Sequence, residues 1–548
     1  MARAITETHR QPIGSNRRRA LAATMAAATI AALLTACGSP STNNTQGTPS
    51  TIVIGAGDVD TLDPAQYRSD TAYTVTANIY ASLLSQQEGS EKNGVLEPTG
   101  KYVPALAQAA VWDSAKTRLT ITLRPGLTFA DGTPITAQDA MYSLQRSLSD
   151  VGYTAAIGIW LNIANPATDI SAPAANTLVI KVTHYSPLIE KFLAFQIFPL
   201  LDAAKAKASG GAKWAATFFA TNATPSGPYA VQARVQGQSI TLTKNPKYTA
   251  TNTADSIKTI TIQNMPDPNQ QYLALKNGAI SVALNMEPQL ASKVAGDPNL
   301  KLYNLPYSNL IYLGMNNTDP QLKDARVRQA ISYLMPYDAL RQSVMKGYAG
   351  PADGAVPYPM PDALDKTGKA GAYSTDATKA MALFAEAGVD PKKLRFTISV
   401  PSDQPVLQQS AVYIQSALHG AGITVNLDEL TSAKYNDSLG KQQLYVASWY
   451  SWGQDSIYQL YFLLKSGVFT NYAHFDNPAL DSLITQAMAT TDTAKRVQLS
   501  QQAQQLVISQ APMAFLFTQN VLIGTQKNVT GITQTDDQFL RLADLRFR

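Results

Sequence analysis

The chain contains a single cysteine, Cys37, and this feature constrains the fold more than any other. One cysteine cannot form a disulfide within the chain, so packed apolar side chains alone must hold the fold together. The cysteine also follows a segment typical of an export signal, in which three arginines at residues 17–19 precede an apolar run over residues 20–34. That run is shorter than the roughly 20 residues that a membrane-spanning helix needs. We therefore expect residues 1–36 to be a signal peptide.

The tetrapeptide Leu34-Thr35-Ala36-Cys37 resembles a bacterial lipobox. The resemblance implies cleavage before Cys37 and a diacylglyceryl group on its thiol, which would anchor the protein to the outer face of the cell membrane, in the periplasmic or cell-wall space. Export by the general secretory route and by the twin-arginine route both stay open. Residues 37–50 are polar and lack apolar periodicity, and such a segment predicts a flexible tether.

The net charge and the length of the exported part indicate which partners it can bind and how it is organised. Residues 1–36 hold five arginines and one glutamate, so cleavage would lower the net charge from +5 to about +1. A nucleic-acid partner requires an excess of basic residues to displace phosphate counterions, and we expect none. The remaining chain is far longer than one hydrophobic core supports, which predicts several subdomains.

Hydrophobic periodicity predicts a mixed α/β class. Strands are expected at residues 51–54, 119–123, 178–182, 239–243, 394–400 and 423–427. Helices are expected to begin near Asp376, Asn477 and Asp492, with Gly388 as a C-terminal cap. The helix, strand, helix, strand order over residues 376–427 predicts a crossover unit and a partly parallel sheet.

The sequence contains no recognisable catalytic motif. It has no Gly-x-Ser-x-Gly elbow, no His-Glu-x-x-His and no P-loop. Beyond residue 36 the histidines are His184, His419 and His474, which are widely separated and lack metal-ligand spacing. We therefore expect a binding protein without enzymatic activity, cofactor or bound metal.

Several motifs, in order along the chain, resemble the extracellular solute-binding proteins of family 5, which include the oligopeptide-, dipeptide- and nickel-binding proteins of ABC importers. The most specific is at residues 123–139, which read LRPGLTFADGTPITAQD. The others are TLDP at 61–64, NIYASLL at 78–84, SGPY at 226–229, NPKY at 245–248, ALKNG at 274–278 and DARVRQAI at 324–331. These segments are themselves scaffold: Thr136 is expected to cap a helix, and Arg326 and Arg328 to lie on the polar side of another.

The resemblance implies a two-lobed periplasmic-binding-protein-like fold (type II, large cluster C form) with an inserted third domain. On that template lobe I comprises residues 51–84, 206–303 and 515–548. The inserted domain covers 85–205, and lobe II covers 304–514. A ligand bound between the lobes would favour a closed state because it contacts both of them.

The resemblance places the candidate ligand-binding residues in one segment, residues 446–455. Asp455 looks like an aspartate that, in peptide binders of the family, pairs with the ligand's α-amino group, since an enclosed ammonium group needs a partner. The alternative is that Asp455 only caps the helix that follows, and both roles are compatible. Trp449, Tyr450 and Trp452 are candidates for the pocket wall, with Gly453 in the same loop. Strand alternation places Tyr450 on the face opposite the two tryptophans.

These residues and the resemblance together predict a monomeric substrate-binding lipoprotein that captures a short peptide and delivers it to the permease subunits of an ABC importer. Receptors of the same family for another solute, an oligosaccharide or a nickel chelate, stay open as alternatives, and so does a role in signalling. An exported enzyme is the least favoured alternative, because no motif supports it.

Overall fold

The computed structural model describes residues 50–149, 151, 157–195, 197–210, 213–250, 255–284, 286–451 and 453–548. The predicted signal peptide, Cys37 and most of the predicted tether lie outside the described residues, and so does Trp452. Within these ranges no helix combines the length and the apolar character needed to span a membrane.

The described strands, in chain order, are β1 Thr51–Ala56, β2 Leu84–Lys92, β3 Val95–Pro104, β4 Ala107–Trp112, β5 Arg118–Leu123, β6 Ile170–Ala174, β7 Thr177–Lys181, β8 Tyr229–Val235, β9 Ser239–Lys244, β10 Thr259–Asn264, β11 Val282–Ala283, β12 Leu300–Met315, β13 Ala349–Pro351, β14 Arg395–Pro401, β15 Thr424–Leu430, β16 Leu444–Trp449, β17 Met513–Gln526, β18 Val529–Thr530, β19 Ile532–Thr533 and β20 Arg546–Phe547.

The described α-helices are α1 Asp70–Ile79, α2 Ala137–Ser147, α3 Gly158–Leu161, α4 Pro166–Asp169, α5 Ile189–Leu193, α6 Ala203–Ala208, α7 Ala216–Thr221, α8 Pro268–Lys276, α9 Pro288–Ala295, α10 Ala325–Leu334, α11 Tyr337–Ala339, α12 Ala377–Glu386, α13 Pro405–Gly420, α14 Ser432–Ser438, α15 Ser456–Leu464, α16 Pro478–Ala489 and α17 Thr493–Gln510. Together with the strands they confirm the predicted mixed α/β class.

One large sheet runs through the molecule in the order β15-β14-β16-β12-β17-β11-β1-β10-β9-β8, with β13 paired to β17. It contains two parallel blocks. The first parallel block is β11-β1-β10, and the second parallel block is β15-β14-β16. The long antiparallel strands β12 and β17 join the blocks, and their pairing shifts register between Leu305 and Asn309. The sheet is therefore continuous across both blocks, but irregular where they meet.

Three smaller sheets complete the described strands: β4-β5-β7-β6, β19-β3-β2 and β18-β20. A buried ion pair connects the region of the first of these sheets to Asp63, near the beginning of the described residues. Arg146 on α2 donates to both carboxylate oxygens of Asp63, at 2.9 and 2.7 Å, and the two side chains are 1% and 0% exposed. Asp63 belongs to the TLDP motif, so this motif acts as a structural link.

The predicted crossover unit is confirmed. Phe396, Ile398 and Val400 alternate along β14 and are all buried, and β14 pairs in parallel with both β15 and β16. Helix α13, which connects β14 to β15, buries Leu407, Ala411, Ile414 and Leu418. The buried side chains of β14 share one face of the strand and pack in the same apolar core as those of α13.

The predicted helix boundaries are confirmed by their caps. Asp376, Asn477 and Asp492 each occupy the N-cap position and accept hydrogen bonds from backbone N–H groups of the first turn. Thr136 is the N-cap of α2, and its N–H donates to the Asp139 carboxylate at 2.8 Å. Gly388 follows α12 with a φ of 68°, the left-handed conformation that favours glycine.

One prediction about this scaffold is wrong. Arg328 does not lie on the polar side of α10, because it is only 3% exposed. Its guanidinium donates to the carbonyl oxygens of Leu322, Lys323, Gln510 and Ala511 at 2.8–3.1 Å. These hydrogen bonds take the place of those that an exposed guanidinium makes with water. Burial still lowers the pKa of Arg328 to about 10. Arg328 therefore joins α10 to the end of α17.

The described residues from Ser50 onward belong to one compact unit by their contacts. The large sheet crosses the predicted lobe boundaries through β12 and β17. The exact residue limits of lobe I, the inserted domain and lobe II therefore stay predictions.

Candidate functional site

A cavity of about 620 Å³ lies where the two parallel blocks meet β12 and β17, and we call it the cleft. Its first wall comes from the N-terminus of α1, the segment between β11 and α9, and residues 538–540. Its second wall comes from the segment between β14 and α13 and from the end of β16. Both walls therefore contain segments that follow the carboxyl ends of parallel strands, the position where α/β sheets bind ligands.

Both aromatic and aliphatic side chains line the cleft. Trp449 and Tyr450 line the second wall, and Phe539 lines the first. Trp449 and Tyr450 are both half-buried, and the Trp449 ring packs 6.5 Å from that of Phe462. The structure thus brings two of the predicted wall residues to the cleft. The expectation that Tyr450 lies on the opposite face is wrong, because β16 ends at Trp449 and alternation stops there.

Three carboxylates line the cleft: Asp70, Glu287 and Asp403. Each stands at or just before the start of a helix, namely α1, α9 and α13. Asp70 and Asp403 are exposed and Glu287 is half-buried, and the protein around Glu287 raises the pKa of its carboxyl because it displaces water from the charged form. Asp403 accepts a hydrogen bond from the Ser432 hydroxyl.

The cleft also contains buried polar atoms without a hydrogen-bond partner in the described part of the chain. They are the donors Trp449 Nε1 and Gln538 Nε2 and the acceptor Asn309 Oδ1. Buried polar groups are normally paired, because an unpaired one costs about 1–3 kcal/mol. The side chains that carry these atoms line the cleft, but the atoms themselves are enclosed by the surrounding protein.

Asp455 is not among the residues that line the cleft. Its carboxylate caps α15 by accepting from the N–H groups of Ile457 at 3.1 Å and Tyr458 at 2.9 Å. Both carboxylate oxygens also accept from the guanidinium of Arg496, at 2.7 Å each. Burial raises the pKa of Asp455, but Arg496 and these hydrogen bonds outweigh that effect and hold it below its ordinary value.

These contacts confirm that Asp455 caps the following helix, which is compatible with both predicted roles. The pairing of Asp455 with a ligand's amino group stays a prediction. A ligand ammonium group could bind Asp455 only by sharing its carboxylate with Arg496 or by displacing Arg496.

Gly453 is buried beside α5 and does not line the cleft. A Cβ at this position would lie 3.6 Å from Phe192 and 3.7 Å from Leu188. Its carbonyl accepts a hydrogen bond from Lys191 Nζ on α5, and the neighbouring Gln454 accepts from Ser308 of β12 at 2.7 Å. The loop that carries Gly453 and Asp455 is thus held in place from two sides.

Comparison with known proteins assigns the family. The model of the bacterial extracellular solute-binding proteins, family 5 (middle), matches residues 101–471, well over half of the chain. The chain belongs to this family. Among curated proteins, the family 5 chain is 28% identical over 490 residues to the "Probable D,D-dipeptide-binding periplasmic protein DdpA" of Escherichia coli, a match that covers 88% of this chain and 90% of DdpA.

Solved structures share the fold of this family 5 protein. DppA from Helicobacter pylori, in complex with the peptide STSA, matches with a TM-score of 0.77 and 20% identity over 91% of this chain and 98% of DppA. NikA from Staphylococcus aureus, in complex with Ni(L-His)2, matches with a TM-score of 0.71 and 18% identity over 92% of this chain and all of NikA. These matches confirm the predicted periplasmic-binding-protein fold.

The sequence analysis missed the carboxylates of the cleft. Asp70, Glu287 and Asp403 are far apart in sequence and belong to no motif, so spacing gives no signal for them. Each stands at or just before the start of the helix that follows a strand of a parallel block, and that position is a signal only once the strands are known to be parallel. No group of three or more His, Cys, Asp or Glu within the described ranges is arranged to hold a metal ion.

Proposed function

We propose that this family 5 protein is the extracytoplasmic receptor of an ABC importer and captures a short peptide in the cleft. The observation that carries the proposal is the cleft itself, which is bounded by strand ends of both parallel blocks and crossed by β12 and β17. Its volume of about 620 Å³ falls within the range of about 300–1,000 Å³ typical of small-molecule sites.

The polar atoms of the cleft suit a peptide backbone. The amide side chains of Asn309, Gln519 and Gln538 line the cleft and provide donors and acceptors for the carbonyl and N–H groups of a peptide. Recognition of the backbone is indifferent to side-chain identity, while aromatic walls accept apolar side chains. The names of the relatives, which refer to D,D-dipeptides and to the peptide STSA, support the same ligand class.

Ligand capture is proposed to close the two predicted lobes over the cleft. β12 and β17 are the connections between the parallel blocks, and their pairing is irregular between Leu305 and Asn309, which makes this the natural place for bending. A ligand that contacts both walls favours closure by its higher affinity for the closed form. The closed protein would then dock on the permease subunits as a monomer.

Anchoring at the membrane is proposed through Cys37, after removal of residues 1–36. Expression of the full chain in a bacterium fed with labelled palmitate tests this directly. Wild type should carry the label and sediment with membranes, whereas Cys37→Ser should lose both properties. Label that persists in Cys37→Ser would overturn the assignment of the anchor.

The ligand class is tested by thermal unfolding and calorimetric titration of the protein that lacks the signal and carries Cys37→Ser. Free dipeptides to pentapeptides, oligosaccharides and nickel–histidine are compared. A ligand at 100 times its dissociation constant should stabilise the protein by about 2.7 kcal/mol. Trp449→Phe should weaken peptide binding by about tenfold, because it reduces the aromatic wall of the cleft.

The matched control is Trp112→Phe. Trp112 is also half-buried, but its Nε1 donates to Glu190 on α5 at 2.9 Å. Neither of these two residues lines the cleft. This variant should bind peptides like wild type. Stabilisation by an oligosaccharide or by nickel–histidine, with none by any peptide, would overturn the peptide assignment and leave the family membership unchanged.

A further inference from the structure

Lys191 on α5 lies where three distant segments of the chain meet. Its Nζ donates to the carbonyl oxygen of Gly453, donates to that of Gln454 at 3.5 Å, and lies 4.0 Å from the carboxylate of Asp536. The side chains of Lys191 and Asp536 are only 16% and 19% exposed. An ammonium group has three N–H donors, so three acceptors around it satisfy its hydrogen-bonding capacity.

The helix that carries Lys191 is itself firmly held. Phe192 and Leu193 on α5 are fully buried in an apolar core. Glu190, the residue before Lys191, accepts a hydrogen bond from Trp112 Nε1 of β4 at 2.9 Å. Lys191 therefore projects its charge from a rigid element, and the segments that it contacts are held against that element.

The partners of Lys191 lead directly into opposite walls of the cleft. Residues 448–450 line the second wall, and Gly453 follows them by three positions. Residues 538–540 line the first wall, and Asp536 precedes them by two positions. Lys191 does not line the cleft. Its contacts thus connect the two walls from outside the cavity.

The same two segments also contact the irregular part of β12. Residues 306–308 lie within the register shift between β12 and β17. The hydroxyl of Ser308 donates to Gln454 Oε1 at 2.7 Å, and the N–H of Thr535 donates to the hydroxyl of Tyr307 at 3.2 Å. The contacts of Lys191 therefore lie beside the place where bending between the two parallel blocks is proposed.

We propose that Lys191 is a positioning residue that braces this bend and so limits how far the ligand-free cleft opens. Charge-assisted hydrogen bonds are about twice as strong as neutral ones, so the ammonium group is suited to hold the two wall segments together. The effect on the separation of the walls is independent of the ligand. The effect on affinity rests on the proposed function, because the ligand binds only the molecules whose walls are correctly spaced.

Electron–electron distance measurements between two spin labels test the separation. The protein that lacks the signal and carries Cys37→Ser contains no cysteine, so labels can be placed on introduced cysteines. Lys276→Cys lies on α8, which follows β10, and Lys434→Cys lies on α14, which follows β15; both positions are exposed. In the ligand-free protein, Lys191→Met should lengthen and broaden the distance distribution. An unchanged distribution would overturn the brace.

Calorimetric titration with Ala-Ala-Ala and Ala-Phe-Ala measures the effect on affinity. Lys191→Met should weaken the binding of both tripeptides by about tenfold, which corresponds to about 1.4 kcal/mol. At saturating peptide, the distance distribution of the variant should return to that of wild type, because the peptide selects the closed form. Asp536→Asn should change both quantities in the same direction but less, since it removes one of the three acceptors' charges and keeps an oxygen for the Tyr102 hydroxyl, which donates to Asp536 at 2.6 Å.

Lys301→Met is the matched control. Lys301 is half-buried like Lys191, its Nζ donates to the carbonyl oxygen of Asn93, and it lies 4.3 Å from the centre of the Tyr303 ring. It does not line the cleft. This variant should leave the distance distribution and the tripeptide affinities as in wild type. Equal widening in Lys301→Met and Lys191→Met would contradict the brace, because the loss of any half-buried lysine would then suffice.

The two readouts separate the brace from the proposed function. A wider ligand-free cleft in Lys191→Met, with no binding of either tripeptide to wild type, would support the brace and count against peptide capture. A wider cleft with unchanged tripeptide affinity would overturn the role of Lys191 in binding. Urea unfolding of the ligand-free variants shows whether each is fully folded under the conditions of these measurements.

Discussion

The ion pair of Asp455 with Arg496 should be a major stabilising contact, whatever the ligand is. The two side chains are 10% and 12% exposed, and both Asp455 oxygens accept from the guanidinium at 2.7 Å. Removing one partner of such a buried pair costs about 3–5 kcal/mol, because the other charge is left without compensation. Asp455→Asn keeps a capping side chain, so we expect about 3 kcal/mol, and Asp455→Ala should cost about 1 kcal/mol more.

Urea unfolding of the ligand-free protein, followed by tryptophan fluorescence, measures these losses. The double variant Asp455→Asn with Arg496→Met should be more stable than the sum of the single losses predicts, by about 0.5–3 kcal/mol. Asp324→Asn is the matched control, since Asp324 also caps a helix and pairs with an arginine, Arg326. That pair is 35% and 47% exposed, so its loss should cost less than about 1 kcal/mol.

The opposite pattern would refute this role of Asp455. If Asp455→Asn is as stable as wild type but no longer binds peptides, the carboxylate acts on the ligand, as the resemblance implies. If both stability and binding fall, the two roles coexist. The ligand-free measurement separates these cases because no ligand is present to stabilise the fold.

Three further predictions follow from other contacts and from pH. Since the folded-state pKa of Asp455 is held below the unfolded value of about 3.9, its stabilisation is present above that value and is lost as the pH falls through the folded pKa. The difference in urea midpoint between wild type and Asp455→Asn should therefore be full at pH 7 and shrink below about pH 4. Arg146→Met should cost about 3–5 kcal/mol in the same assay, because it leaves Asp63 buried without its partner. Gly314→Ala should cost about 1–3 kcal/mol, because the new methyl group would overlap the Tyr445 ring.

Much of the scaffold could be predicted because local signals and tertiary packing agree. The alternation of β14 and the cap residues Asp376 and Asp492 each point to the structure that forms. At Arg328 the local sequence signal and the tertiary packing disagree. An amphipathic pattern assigns arginine to the surface, but four carbonyl oxygens at the end of α17 and before α10 satisfy its guanidinium inside the protein. Those carbonyls are brought together by the tertiary fold and leave no local signal.

Residues of the candidate site could be predicted from the sequence only where they are neighbours in a single segment. Trp449 and Tyr450 stand together at the end of a strand, and the structure brings both to the cleft. Asp70 and Glu287 come from segments more than 200 residues apart, and only the strand order of the large sheet brings them together. The capping role of Asp455 was visible in the sequence, but Arg496, which engages its carboxylate, was not.

A crystal structure of the protein saturated with a short peptide that binds in the calorimetric titration tests the central claim most directly. Peptide density is expected in the cleft between α1 and the end of β16, in contact with Trp449. Density for the peptide elsewhere on the protein, with the cleft empty at saturating peptide, would contradict the claim that this cleft is the site of ligand capture.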